Sequence, residues 1–368
     1  MLCRVIQAAI LTTGVASFAV NELQIKNLDK RVSRLEKQYQ KVDELVAPVG
    51  YEEIGTQTNV LFAGDFLWWY AEETGLPYAI EVETNSSFNN VPKQVEHMKW
   101  RFKPGFRLLF GFNTGHDRWN LAMSWAYYTA TAQDASTHMI INGNTGTTLL
   151  NNPWSGEWSN NSLSNFAFGH WKVNSNIIDL EMNRGYWVGK FTVLEPHFGI
   201  RGVRLDTDFQ VHSYEQNDQT GALLDNETKY SQEQKGVGIL AGLNAGWYIN
   251  QYISFYSNTG VSLLFTENEI EKRSTLTDVI DDTSQNFVAQ SKIYTTQPVF
   301  DLAVGCMFEW WPLKEKVHFS TSIGWEVHSF VNYNMLYQVY NASNLGLFSE
   351  QNGSLSFQGG TLRAAIDF

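Results

Sequence analysis

From residue 58 to its end the chain alternates. In "VGILAGLNAGWYI", Val237, Ile239, Ala241, Leu243, Ala245, Trp247 and Ile249 fall on one face of an extended strand, and Gly238, Leu240, Gly242, Asn244, Gly246 and Tyr248 on the other. After a tight turn near Asn250 the rhythm resumes through Ile253, Phe255, Ser257, Thr259, Val261, Leu263 and Phe265. Successive side chains of a strand point to opposite sides, so this pattern dictates a sheet with one greasy face and one face of small or polar groups. A barrel in lipid and a large soluble sandwich both satisfy it.

The connections separate the two. Short ones at 113–118, 183–187, 249–252 and 311–316 alternate with long polar ones at about 72–92, 133–168, 207–229, 268–288 and 331–354. Together they join ten strands, with short turns at one end and long loops at the other, the habit of outer-membrane barrels. "MLYQVY" at 335–340 offers a further hairpin arm, so twelve strands stays open. Loop 133–168 carries "NNPWSGEWSNNS", an irregular composition that folds either into the lumen or outward. The last residues, "TLRAAIDF", alternate up to Phe368. Such a strand is expected to close against the first one, around Val60 to Tyr70, with Phe368 as the signal read by the barrel-assembly machinery.

Composition agrees with strands in a membrane. Aromatic residues make up 14% and charged residues only 17% of the 368 residues, below the roughly 25% charge of ordinary soluble domains. Past residue 20 there is no run of about 18 apolar residues, which a transmembrane helix needs. Aromatic pairs gather near strand ends: Trp68, Trp69 and Tyr70, Trp119, Trp247 and Tyr248, and Trp310 and Trp311, as in an interfacial girdle. A net charge of -12 argues against nucleic acid as a partner.

Parity assigns the faces. On the second strand Trp100, Phe102, Phe106, Leu108, Phe110 and Phe112 share the lipid side, and Lys99, Arg101, Lys103 and Arg107 the lumen side. The same parity turns Asp65, Glu181, Glu195, Arg201, Asp301, Glu309, Glu326, Arg363 and Asp367 inward as pore-lining candidates. A soluble sandwich would bury these charges at great cost. A wet lumen solvates them, and rings of charge set ion preference. Their mixed signs leave cation against anion preference open.

The first residues differ. "MLCRVIQAAILTTGVASFA" has Arg4, an apolar stretch and small residues at 17 and 19, the pattern of a secretory signal peptide over 1–19. Residues 21–47 follow with Ile25, Leu28, Val32, Leu35, Tyr39, Val42 and Val46 spaced alternately three and four apart among polar residues. That is a coiled-coil seam, expected to lie in the periplasm and to join copies of the chain, a homotrimer being favoured by analogy with porins. A lone amphipathic helix on its own domain is the alternative. Residues 48–57 read as a linker and 58–368 as the barrel.

No zinc or nucleophile-elbow spacing is present, and no metal or organic cofactor is implied. The chain is therefore not expected to be an enzyme. The remaining catalytic option is a dyad of His328 with the loop acids Asp281 and Asp282, after the manner of barrel proteases.

"NVLFAGDFLWWYAEETGLPYAIE", "WRFKPGFRLLFGF", "WNLAMSWAYYTATA" and "LEPHFGIRGVRLD" together resemble the Legionella-type pore-forming outer membrane proteins, a group also represented by the major-outer-membrane-protein-like porins of environmental chlamydiae. The resemblance extends over most of 58–368. It implies a Gram-negative outer-membrane barrel with pore activity and supplies no catalytic residues. Past the leader the chain has one cysteine, Cys306, unlike the cysteine-rich chlamydial porins. The expectation is a transmembrane antiparallel barrel, all-β, of ten to twelve strands behind a coiled-coil segment, passing small hydrophilic solutes passively. Its rival is a structural or adhesive barrel with a plugged lumen.

Overall fold

The computed structural model describes residues 30–34, 60–84, 90–114, 119–137, 147–158, 163–216, 223–312, 317–339 and 348–368. Ten strands make the wall: β1 (Val60–Glu73), β2 (Phe102–Asn113), β3 (Trp119–Thr137), β4 (Phe166–Arg184), β5 (Thr192–Gln216), β6 (Leu223–Tyr248), β7 (Ile253–Asp278), β8 (Thr283–Trp310), β9 (His318–Asn334) and β10 (Gly353–Asp367). Each pairs antiparallel with its chain neighbours, and β10 returns to β1, so the sheet closes. Asp65 stands opposite Arg363 and Trp69 opposite Gly359. Where the two strands end, Val60 and Phe368 exchange two backbone hydrogen bonds of 3.0 and 3.2 Å, and the Phe62 and Phe368 rings stack at 6.2 Å.

Ten wall strands is the lower end of the expected ten to twelve. The arm at 335–340 does not enlarge the wall: Tyr337–Val339 pairs with Phe348–Glu350 as a separate ribbon. Two expected long loops are corrected. β5 runs to Gln216 before β6 begins at Leu223, and β7 runs to Asp278 before β8 begins at Thr283. The stretches 207–229 and 268–288 look like loops because the outer face there is charged instead of greasy. Lys229–Glu227 at 2.7 Å and Lys292–Glu269 at 2.8 Å lie on that outer face, and Arg204–Glu233 at 3.0 Å and Lys235–Glu233 at 2.8 Å border it. Strands of 25 to 28 residues reach on the order of 85 Å, against roughly 9–11 residues for one bilayer crossing. Pro104, Pro196 and Pro298 sit inside β2, β5 and β8 without shifting the register.

Below that charged wall the exterior is an apolar belt. Phe62, Phe66, Leu108, Ile178, Ile200, Ile239, Val261, Phe300 and Ile323 are all exposed. The expected girdle is corrected at two places. Trp68 and Trp247 face out, but Trp69 is 1% exposed inside the barrel and Tyr248 also turns inward, because neighbours on one strand cannot share a face. Cys306 is exposed on the outer face and free.

The core sits within the barrel. Trp69, Tyr128, Phe330 and Phe357 pack ring to ring at 5.5 to 6.1 Å, with Ile177, Val203, Leu205, Leu264 and Val299 completing one apolar cluster across the section. Above it the long connections fill the mouth. Pro77–Thr84, Asn90–His97 and Thr147–Asn151 form a small sheet. Tyr78 packs so closely on Gly169 of β4 that an added Cβ there would lie 2.6 Å from it. Glu73, 3% exposed, accepts a 2.7 Å hydrogen bond from Trp171 Nε1.

The leader 1–19 and linker 48–57 lie outside the described residues. Of the seam, Val32 alone is described, exposed in a helix over 30–34. Ile25, Leu28, Leu35, Tyr39, Val42 and Val46 lie outside the described residues.

Candidate functional site

Alternation turns charges from opposite sides of the wall into one lumen. Arg363 donates to Asp65 from Nε at 2.7 Å and from Nη2 at 2.8 Å. Arg107 reaches the same carboxylate at 3.0 Å and then Glu326 at 2.7 and 3.2 Å. Arg201 clamps Asp179 at 2.7 and 2.9 Å and extends Nη1 to Asp301 at 2.6 Å. His328 links the halves, with Nδ1 2.7 Å from Asp301 and Nε2 3.4 Å from Glu326. Four carboxylates thus meet three guanidiniums and an imidazole in one network. Two-pronged Arg–carboxylate pairs keep such charges tolerable away from bulk water. Trp69 roofs the network, its ring 4.9 Å from that of His328 and 5.6 Å from the Arg107 guanidinium.

Toward the short turns the lumen opens into a cavity of about 430 Å³. Glu181, Glu195, Glu309 and Asp367 line it together with His197 and His318. His318 Nδ1 is 2.7 Å from Asp367, and His197 Nε2 is 3.9 Å from Glu181. Gly242 lies under His197, where an added Cβ would come within 2.5 Å of the ring.

Above the aromatic layer the segment 147–158 folds inward, which decides the alternative that the sequence leaves open. Trp154 is 0% exposed between Phe209 and Tyr230, and its Nε1 donates to the Pro77 carbonyl at 2.6 Å. Lys272 Nζ holds the segment from β7, donating to Glu157 at 2.6 Å and to the Trp154 carbonyl at 2.9 Å. This lies at the level of the charged outer wall, above the apolar belt, and burial there pushes the Lys272 ammonium down from its usual range while Glu157 opposes the shift.

Of the expected lumen residues, Asp65, Arg107, Glu181, Glu195, Arg201, Asp301, Glu309, Glu326, Arg363 and Asp367 line this cavity or its roof network. Lys103 faces inward opposite Trp69. Lys99 and Arg101 do not belong: they precede β2, both are exposed, and Lys99 Nζ reaches Asp134 at 3.1 Å. Strand parity carries no information before the strand begins. Asp179, His197 and His318 are additional. Asp179 shares the parity of Glu181, and His197 that of Glu195, so alternation carried the signal for both. The dyad of His328 with Asp281 and Asp282 is corrected: those acids lie at the exposed β7–β8 turn, about 60 Å along β8 from Asp301, the partner of His328.

A family model described as the Legionella pneumophila major outer membrane protein precursor matches residues 56–368. The chain belongs to this family. It is accordingly a β-barrel protein of the Gram-negative outer membrane. Among solved structures it is similar to the outer membrane protease OmpT of Escherichia coli, at 10% identity and TM-score 0.41, covering 84% of this chain and 96% of that one. A major outer membrane protein of Thermus thermophilus is similar at 12% identity and TM-score 0.29, covering 85% and 100%. No curated protein matches the chain.

Proposed function

We propose that this member is a pore protein for small hydrophilic solutes, held shut in the state described. The observation that carries the reading is the lumen itself: a charged, cavity-bearing half on the short-turn side, capped by the apolar cluster whose lowest rings are Trp69, Tyr128, Phe330 and Phe357. The apolar belt meets lipid, and the charged outer wall stands in water beyond it. Hydrophobic constrictions close pores by excluding water.

The rival reading is a permanently plugged barrel that acts through its outer surfaces. The buried Lys272–Glu157 pair favours it, because it fixes a loop inside the mouth. Ten strands also enclose little more space than side chains fill. In either case the coiled-coil seam at 21–47 is proposed to assemble copies beneath the membrane, trimers being favoured, and Phe368 to be read by the insertion machinery.

Single-channel recording in a planar bilayer tests this. The gated reading expects rare openings from the wild type and steady conductance from Trp69→Ala/Phe357→Ala. Silence from both proteins means a plug. Steady conductance from the wild type means an open porin.

A further inference from the structure

The lumen's acids fall into two sets. Asp65, Asp179, Asp301 and Glu326 each have an arginine at hydrogen-bond distance. Glu181, Glu195, Glu309 and Asp367, drawn from β4, β5, β8 and β10, line the cavity of about 430 Å³ as well, alongside Arg107, Arg201 and Arg363, whose guanidiniums are engaged by the first set. The basic groups nearest them are histidines: His197 at 3.9 Å from Glu181, and His318 at 3.6 Å from Glu309 and 2.7 Å from Asp367.

Three buried polar atoms in this cavity have no hydrogen-bond partner. They are Glu309 Oε2 and His197 Nδ1, on residues 5% and 8% exposed, and His318 Nε2, which lies 3.6 Å from Glu309 Oε1. Buried acceptors of this kind are rarely left alone, since the lost water has to be replaced. What this second set lacks, with the three arginines of the cavity engaged elsewhere, is a cationic partner of its own. Among the described residues no three His, Cys, Asp or Glu converge closely enough to hold a metal ion. The acceptors are spread around the cavity, and Leu61, Leu109, Leu240 and Met307 supply apolar lining between them. Its volume falls within the range of small-molecule sites.

We propose that this cavity binds a small organic cation, an aliphatic chain carrying ammonium groups, entering from the short-turn side. Glu309 and Glu195 accept from the ammonium groups, and the leucines and Met307 pack on the methylenes. The proposal deepens the pore reading by naming the solute class, and rests on the lumen being reachable from that side.

Equilibrium dialysis of the folded full-length chain in detergent against radiolabelled putrescine, at neutral pH, is the test. The expected result is saturable binding displaced by unlabelled putrescine but not by succinate or butanol. Glu309→Gln and Glu195→Gln should each weaken binding roughly tenfold or more, and Glu271→Gln on the outer wall should not. Should Glu309→Gln fail to fold, Glu195→Gln alone carries the comparison. Non-saturable uptake, displacement by succinate, or full affinity in both carboxamide variants overturns the proposal. Dialysis requires no conduction, so it can fail with channel recordings intact, and a silent bilayer does not touch it.

Discussion

Lys272 Nζ lies 2.6 Å from Glu157 Oε2 with both side chains enclosed in the barrel, at 0% and 3% exposure. The two residues are 115 positions apart. Removing one partner strands a buried charge, at a cost of about 3–5 kcal/mol, whereas replacing both by apolar groups of similar volume is often neutral. Lys272→Ala should therefore lower the heat-modifiability midpoint and expose 147–158 to protease. Lys272→Met/Glu157→Leu should recover most of the loss. Protease resistance equal to wild type in Lys272→Ala would show that the ion pair does not hold the loop.

Trp69 makes ring contacts with Tyr128, Phe357 and His328. Trp69→Ala leaves a cavity in the section that closes the lumen and should destabilise by about 3–5 kcal/mol. Trp68→Ala removes an outward ring next to it and should cost far less. Equal losses, read from urea unfolding of the two variants, would contradict the inward placement of Trp69.

Glu73 gives a pH test. It stands beside the outward Glu72 at the end of β1, beyond the apolar belt, and burial raises its carboxyl from an ordinary 4.5 to about 8. The folded state therefore holds a proton that the unfolded state releases between those values. Its stabilising contribution is complete below about pH 4.5 and is lost as pH rises through 8, with a ceiling of roughly 5 kcal/mol. Glu73→Gln, which keeps an acceptor for Trp171 Nε1, should flatten that slope and be the more stable protein at pH 9. Parallel pH profiles for the two proteins would refute the assignment.

Phe368 completes the seam of the barrel through its backbone bonds to Val60 and its ring on Phe62. Phe368→Ser should reduce the heat-modifiable fraction in the outer membrane and leave protein degraded or periplasmic. Wild-type amounts of heat-modifiable protein would remove its assembly role.

Val32→Asp/Leu35→Asp places charges in the heptad seam. The double variant should insert normally yet run as a monomer in mild detergent, where wild type runs as an oligomer. Detergent-corrected light scattering decides, and a monomeric wild type would end the oligomer reading.

Alternation is local, and everything it controls was legible in the sequence. Residues i and i+2 share a face whatever the rest of the chain does, so strand identity and the inward turn of Asp65, Arg201 and Glu326 follow from spacing alone, while the count stays between ten and twelve until the arm at 337–339 is found paired outside the wall. The charged stretches 207–229 and 268–288 misled because their outer face meets water, which erases the greasy half of the signal while the strand continues. Pairing inside the lumen is another matter. Arg107 and Glu326 lie 219 residues apart, and only closure of β10 onto β1 with its particular register brings them to 2.7 Å. The same holds for the aromatic layer and the inserted loop: Trp69, Tyr128, Phe330 and Phe357 announce an inward face one at a time, but whether inward side chains leave a channel or meet across it depends on the width of a closed ten-stranded wall, a property of the tertiary structure that no stretch of sequence contains.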